Sequence, residues 1–380
     1  RKNFEVKDAY AISRGNPGQA YKGGCGKIFL MGSGRPCKLK LMGFIIFIIL
    51  GGDFMKKRIL GIAAAFMLAI VPLTEYGIKV GHVLANTHPY QLGLEKFGEL
   101  AAEKSGGKIK VDVFHSSTLG NERDMVEALQ LGTQEMVLVS TAVLSSFTDS
   151  FLVFDLPFLF DTTEEARMVC DSDLGEEILG SIEGDGLKGL VFFENGFRNV
   201  TNSKHEVLAP ADLEGLKIRT MESPIHMATF SVMGADPTPM AMGELFTALQ
   251  QKTIDGQENP LAIIDSSKLY EVQEYLSMTG HFYAPAPLFI STSYFDGMPE
   301  DLQTAVLEAA AEAQVYERQV LDDMNAELET TLAEKGVKIT EVDKAPFIEA
   351  VAPVYDEYVG EGAGLVDPEM LAKVQEMLGK

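Results

Sequence analysis

Over residues 78–139 the hydrophobic pattern changes period repeatedly, and this alternation confines the chain to a layered α/β fold. Residues 78–84 (IKVGHVL) read as a strand with a glycine break. His88-Pro89 then leads into a helix to about Lys104, with Leu92, Leu94, Phe97 and Leu100 roughly on one face. Ser105-Gly106-Gly107 ends it. Residues 109–114 alternate as a strand. Residues 121–131 have helical spacing, with Met125, Ala128 and Leu129 apolar and Gly132 as the stop. Residues 136–139 form a short, wholly apolar strand. Strand, helix, strand, helix, strand implies a mostly parallel sheet with helices on both faces.

The remainder continues the theme. Residues 151–160 (FLVFDLPFLF), with Pro157 near the middle, read as a core-crossing segment. A helix is expected over 162–179, its first turn carrying Glu164 and Glu165. Strands are expected over 187–194 and 216–220, strand and loop over 200–210, and helices over 224–233 and 243–251. An extended crossing strand is expected over 283–294. Pro299 opens a long helix to about Lys335, because a first-turn proline loses no hydrogen bond. A strand over 337–342 and helices over 345–358 and 368–378 complete the chain. With no tandem repeat and no low-complexity linker, two α/β lobes whose chain crosses more than once fit this pattern.

The front of the chain reads differently. It begins with Arg1, and Met55-Lys56-Lys57-Arg58 followed by the apolar run 59–73 has the form of a secretory signal, too short for a membrane span of about 20 residues. Residues 1–54 are read as upstream or non-native sequence, 55–76 as signal, and the destination as the periplasm. A retained anchor involving the apolar run 41–50 is the alternative, and no clean cleavage site precedes residues 74–77. Residues 1–54 hold nine basic and three acidic groups, so of the net −23 the remainder carries −29. So acidic a body argues against nucleic acid and anionic membranes as partners. Five arginines follow the signal: Arg123, Arg167, Arg198, Arg219 and Arg318. Cys25 and Cys37 lie in the front; Cys170, alone in the body, reads as a buried apolar residue.

Catalytic signatures are missing. There is no G-x-S-x-G, no H-E-x-x-H and no paired C-x-x-C. Residues 23–27 suggest a phosphate loop but fail it, since Tyr21 is out of pattern and Ile28 stands where Ser or Thr is needed. His82 and His88, six apart, are no ligand pair on a helix face and read as loop structure. No metal or cofactor is expected.

The chemistry concentrates in residues 198–260. In LEGLKIR, Lys217 and Arg219 share one face of a strand. Alone, that is also what a solvated face looks like. But Arg198, in Gly196-Phe197-Arg198-Asn199, follows the strand 187–194, and ligands of open α/β sheets bind where strands end. Two guanidiniums there could grip one carboxylate. Pro237 and Pro239 fix a rigid extended loop ahead of a helix whose N-terminus favours anions. Asp255-Gly256 signals a turn, and Pro260 holds Asn259 extended, aiming an amide that either completes a carboxylate site or bonds its own backbone.

The run IRTMESPIHMATFSVMGADPTPMAMGELFTALQQKTIDGQENP closely resembles the signature of the TRAP transporter solute-binding proteins, the DctP-like family. GHVLANTHPYQLGLEKF and SSTLGNERDMVEALQLGTQEM resemble its first two strand–helix units, and the helix after Pro299 its lobe-spanning spine. The resemblance implies a two-lobed periplasmic-binding-protein-like α/β fold with mixed, mostly parallel sheets. Lobe I would take 77–196 with 285–324, and lobe II 197–284 with 325–380. It implies Arg219 as principal carboxylate anchor, Arg198 as a second arginine and Asn259 as a further carboxylate contact. Glu122 and Ser140 would meet the rest of the ligand, His82 joins the candidate contacts, and Met242 stands where some relatives carry an aromatic. The implied ligand is a small organic anion, a sugar acid such as a uronate or a C4-dicarboxylate-like acid. The implied partner is a two-component permease driven by an ion gradient, with the receptor a monomer and not an enzyme. A secreted enzyme or a sensor module on the same scaffold would be the alternatives; a clustered acid, base or nucleophile, or a downstream signalling segment, would mark them.

Overall fold

The computed structural model describes residues 76–360 and 364–380; the front of the chain, the expected signal up to residue 75, Cys25 and Cys37 lie outside them, and Tyr76, expected as the last signal residue, opens the first strand. The first unit is as the periodicity dictates: β1 (Tyr76–Gly81), α1 (Pro89–Lys104), β2 (Ile109–Phe114), α2 (Glu122–Gln130) and β3 (Met136–Leu138). β1 lies parallel to β2 (Ile78 opposite Val111) and to β3 (Val80 opposite Met136). α1 starts where His88 caps it, its Nδ1 accepting the Tyr90 N–H at 3.2 Å, with Pro89 in the first turn. Asn121 and Asp124 form a capping box that fixes the start of α2.

Residues 151–160 do cross the core, as a 3-10 turn over Leu152–Asp155 that leads to Phe158, whose N–H donates to His281 O. The single helix expected over 162–179 is two, α3 (Thr163–Cys170) and α4 (Asp173–Gly180). Ser172 breaks it by capping α4 through the Gly175 N–H, and a Cβ on Gly175 would lie 2.2 Å from Cys170 O. Cys170 is buried and free, as expected.

The chain then runs through β4 (Leu187–Asn202), β5 (Lys217–Thr220), α5 (Pro224–Val232), β6 (Asp236–Pro239), α6 (Met242–Gln250), β7 (Gly256–Asn259), α7 (Leu261–Ser266) and β8 (Tyr275–Ser291). It ends with α8 (Thr292–Asp296), α9 (Glu300–Glu334), β9 (Lys338–Glu341), α10 (Ala345–Tyr358) and α11 (Pro368–Leu378). The sheet order is β2-β1-β3-β8-β4-β7-β5-β6, with β9 also on β8. Its two ends are parallel, but β4 and β8 run antiparallel to each other, since the chain crosses the molecule along one and returns along the other. They are longer than expected. Gly196, at φ 90°, and the register shifts at Glu194/Gly196 and Arg198/Val200 bend β4 without ending it. β6, expected as a loop, pairs with β5 as an edge strand, where Pro237 and Pro239 cost little pairing. Helix α9, about 50 Å long at ~1.5 Å per residue, packs on α1, β4, α7 and β9. α10 lies on α5, and α11 on α3. Among the described residues no helix is long and apolar enough to cross a membrane.

Candidate functional site

The strands of both ends of the sheet stop around one cleft. A cavity there is lined by Val83, Leu84, Tyr90, Glu122, Ser140, Asn195, Arg198, Arg219, Met221, Met242, Asn259 and Ile263. Six of the seven candidate residues therefore share one wall-to-wall space. The seventh, His82, does not line it. Its ring is buried, with Nε2 2.9 Å from Gln91 Oε1, and burial pulls its pKa down to about 4, so it is a neutral core residue. Its neighbours Val83 and Leu84 reach the cavity instead.

Arg219 sits in β5, 2% exposed. Its Nε and Nη2 donate to Met240 O at 2.8 and 2.6 Å, so the loop with the two prolines holds one edge of the guanidinium. No carboxylate among the described residues forms an ion pair with it. Burial lowers its pKa to about 10, which leaves it charged at neutral pH. Lys217, on the same strand, points to solvent.

Arg198 is held differently. Its Nε and Nη2 donate to both Glu258 carboxylate oxygens at 2.5 and 2.7 Å, and Nη2 also to Glu258 O at 2.6 Å. Both residues are essentially inaccessible. Burial would raise the Glu258 pKa, but the charge of Arg198 and hydrogen bonds from His281 and Arg198 hold it far below the usual carboxylate range. The two guanidiniums are thus unequal: Arg198 arrives neutralised, and Arg219 carries the unmatched charge. Asn259, in β7, donates through Nδ2 to Gln257 Oε1.

Glu122 is the first residue of α2. Its Oε1 accepts the Ser140 N–H at 2.8 Å, and burial raises its pKa. Around it, Tyr90 Oη, Ser140 Oγ and Asn195 Oδ1 are buried with no hydrogen-bond partner among the described residues. Such orphans are rare in folded proteins and mark groups awaiting something polar. Tyr90, Asn195, Met221 and Glu258 were not singled out from the sequence. Only the Glu-Asn-Gly bend before Arg198 hinted at Asn195.

Residues 80–361 match the model of the bacterial extracellular solute-binding proteins, family 7. The chain is 36% identical over 299 residues to the 2,3-diketo-L-gulonate-binding periplasmic protein of Escherichia coli (strain K12), covering 77% of this chain and 91% of that protein. Among solved structures, it resembles a TRAP periplasmic solute-binding protein of Polaromonas sp. JS666 bound to D-erythronate (41% identity, TM-score 0.76, 79% and 98% of the two chains). It also resembles a sugar-acid-binding protein of Advenella mimigardefordensis in complex with galactonate (36% identity, TM-score 0.77, 80% and 98%).

Proposed function

The chain belongs to the bacterial extracellular solute-binding proteins of family 7, receptors rather than enzymes, and we propose that it captures a small organic carboxylate and delivers it to a TRAP-type permease driven by an ion gradient. The ligand is a sugar acid or a C4-dicarboxylate-like acid. The observation that carries this reading is Arg219: a buried, charged fork with no carboxylate partner in the described protein, at the wall of a cavity. A ligand carboxylate is the natural complement, because a planar fork binds it bidentately. Arg198 and Asn259 join it as further carboxylate contacts, and Glu122, Ser140 and Met242 of the same cavity wall meet the rest of the ligand.

Capture works by closure of two lobes, 77–196 with 285–324 and 197–284 with 325–380. The supporting feature is the bulge in β4, where Gly196 pairs with Ala284 at both boundaries. The receptor acts as a monomer in the periplasm, exported by the signal near Met55.

A thermal-shift screen of aldonates, uronates and C4-dicarboxylates tests the reading. A bound acid raises the melting temperature, by an amount that grows with the logarithm of its concentration. Arg219→Ala should abolish the shift while leaving the protein folded. An unaltered shift in that variant would remove Arg219 as anchor.

A further inference from the structure

We propose that Glu122 makes this site selective for hydroxylated monocarboxylates over dicarboxylates. The inference rests on the reading of Arg219 as carboxylate anchor and concerns the rest of the ligand.

The charges lining the cavity are few. Arg198 and Arg219 are its cations, and Arg198 is already matched by Glu258. One unmatched cation therefore serves one incoming carboxylate. The wall also carries a carboxyl, Glu122, which lines the adjoining crevice together with Arg219. Glu122 is 8% exposed, its Oε1 is taken by the Ser140 N–H, and Oε2 makes no hydrogen bond within the described protein. Arg123 lies in the adjoining crevice rather than on this wall, half-exposed, with its Nε 3.1 Å from Glu127 Oε1.

A second ligand carboxylate would accept hydrogen bonds but donate none, and it would face Glu122 in a water-poor space. Ionised, Glu122 repels it; protonated, Glu122 leaves it without a cation. Like charges brought together in such a setting cost several kcal/mol. A ligand hydroxyl meets neither penalty. It donates to Glu122 Oε2 or Asn195 Oδ1 and accepts from Tyr90 Oη or Ser140 Oγ. The last three atoms are the buried orphans, so hydroxyls satisfy what the protein leaves open.

The test is calorimetric titration with aldonates of four to six carbons and the matching aldarates, in which the terminal CH₂OH is a carboxylate. An aldonate should bind the wild-type protein about 100-fold more tightly than its aldarate. Glu122→Gln, which keeps an acceptor for the Ser140 N–H, should narrow that ratio to about tenfold or less, mainly through tighter aldarate binding. Glu122→Asp, which keeps the charge, should preserve discrimination; melting curves establish that both variants fold. An aldarate that binds the wild type as well as its aldonate, or a ratio unmoved by Glu122→Gln, overturns the proposal. If no acid of either set binds, the anchor reading of Arg219 fails and takes this one with it, an outcome distinct from indiscriminate binding.

Discussion

Arg198 and Arg219 are equally hidden from water, yet substitutions near them should have opposite readouts. Glu258→Gln removes the charge that matches Arg198 and leaves a buried guanidinium unpaired. It should cost about 3 kcal/mol of stability at neutral pH. The Glu258 pKa is depressed in the folded state, so its stabilisation is present above the unfolded carboxylate value of about 4.3 and is lost as pH falls below it. The gap between wild type and variant in urea unfolding should therefore shrink on acidification below that pH. Arg219→Lys should hardly alter stability, because no ion pair is broken. It should weaken acid binding at least about tenfold, since a point charge cannot reproduce the bidentate fork; titration calorimetry measures it. This inequality marks what was readable in advance. Arg219, Arg198 and Asn259 stood out because they lie in a motif of unusual order, in an acidic chain with few arginines. Glu258 lies in the same motif, but its bond to Arg198 spans 60 residues and exists only once β4 and β7 pair. Tyr90 was invisible for another reason: an aromatic on the apolar face of an amphipathic helix looks like core.

Among the elements, those shaped by local chemistry were legible. α1, α2 and α9 follow their caps, prolines and periodicity closely. Gly196 looks like a stop for β4, yet cross-strand pairing carries the chain through it, and the same pairing extends β8 back from the expected 283 to Tyr275. The strand β7 was read only as a turn, since four polar residues become a strand only between two partners. Where α9 passes β4, tertiary packing imposes a cost that no pattern foretells. Glu317 is wholly buried in α9; its Oε2 accepts the Glu194 N–H at 3.2 Å, and its Oε1 has no partner among the described residues. Burial, reinforced by the charge of Glu194, holds its pKa well above the usual carboxylate range. Glu194 is meanwhile gripped by Arg167 at 2.7 and 2.6 Å and by the Tyr283 hydroxyl at 2.7 Å. The raised folded pKa means that Glu317 favours the fold fully below the unfolded value of about 4.3 and progressively less as pH rises above it. Glu317→Gln should thus melt near the wild type at pH 4 and about 3–6 °C above it at pH 8, by scanning calorimetry. A gap independent of pH would mean that Glu317 is not a buried neutral acid.

At the scale of the molecule, the proposed capture by closure requires that the cleft be closed by contacts weak enough to reopen. A small apolar cluster of Ala142, Val143 and Met221 stands apart from the main cores and joins the segment after β3 to the segment after β5. Beside it, Ser145 Oγ donates to Glu222 O at 3.1 Å, and deeper in, Ser223 Oγ donates to Asp155 Oδ2 at 2.7 Å. These segments fall in different lobes under the proposed division, so under the proposed closure the cluster would form only when the lobes meet. Val143 is 5% exposed there and would be hydrated when the lobes part. A charge at that position costs nothing in the open protein but several kcal/mol on closing, because a carboxylate would be buried without a partner. Val143→Asp should therefore leave the unliganded melting temperature unchanged and weaken acid binding about 100-fold or more, chiefly through faster dissociation. Small-angle scattering should show contraction on ligand addition in the wild type and, at equal ligand, a smaller one in the variant. Unchanged affinity with full contraction would mean that the cluster does not close the cleft, and that the carboxylate at Arg219 draws the lobes together unaided.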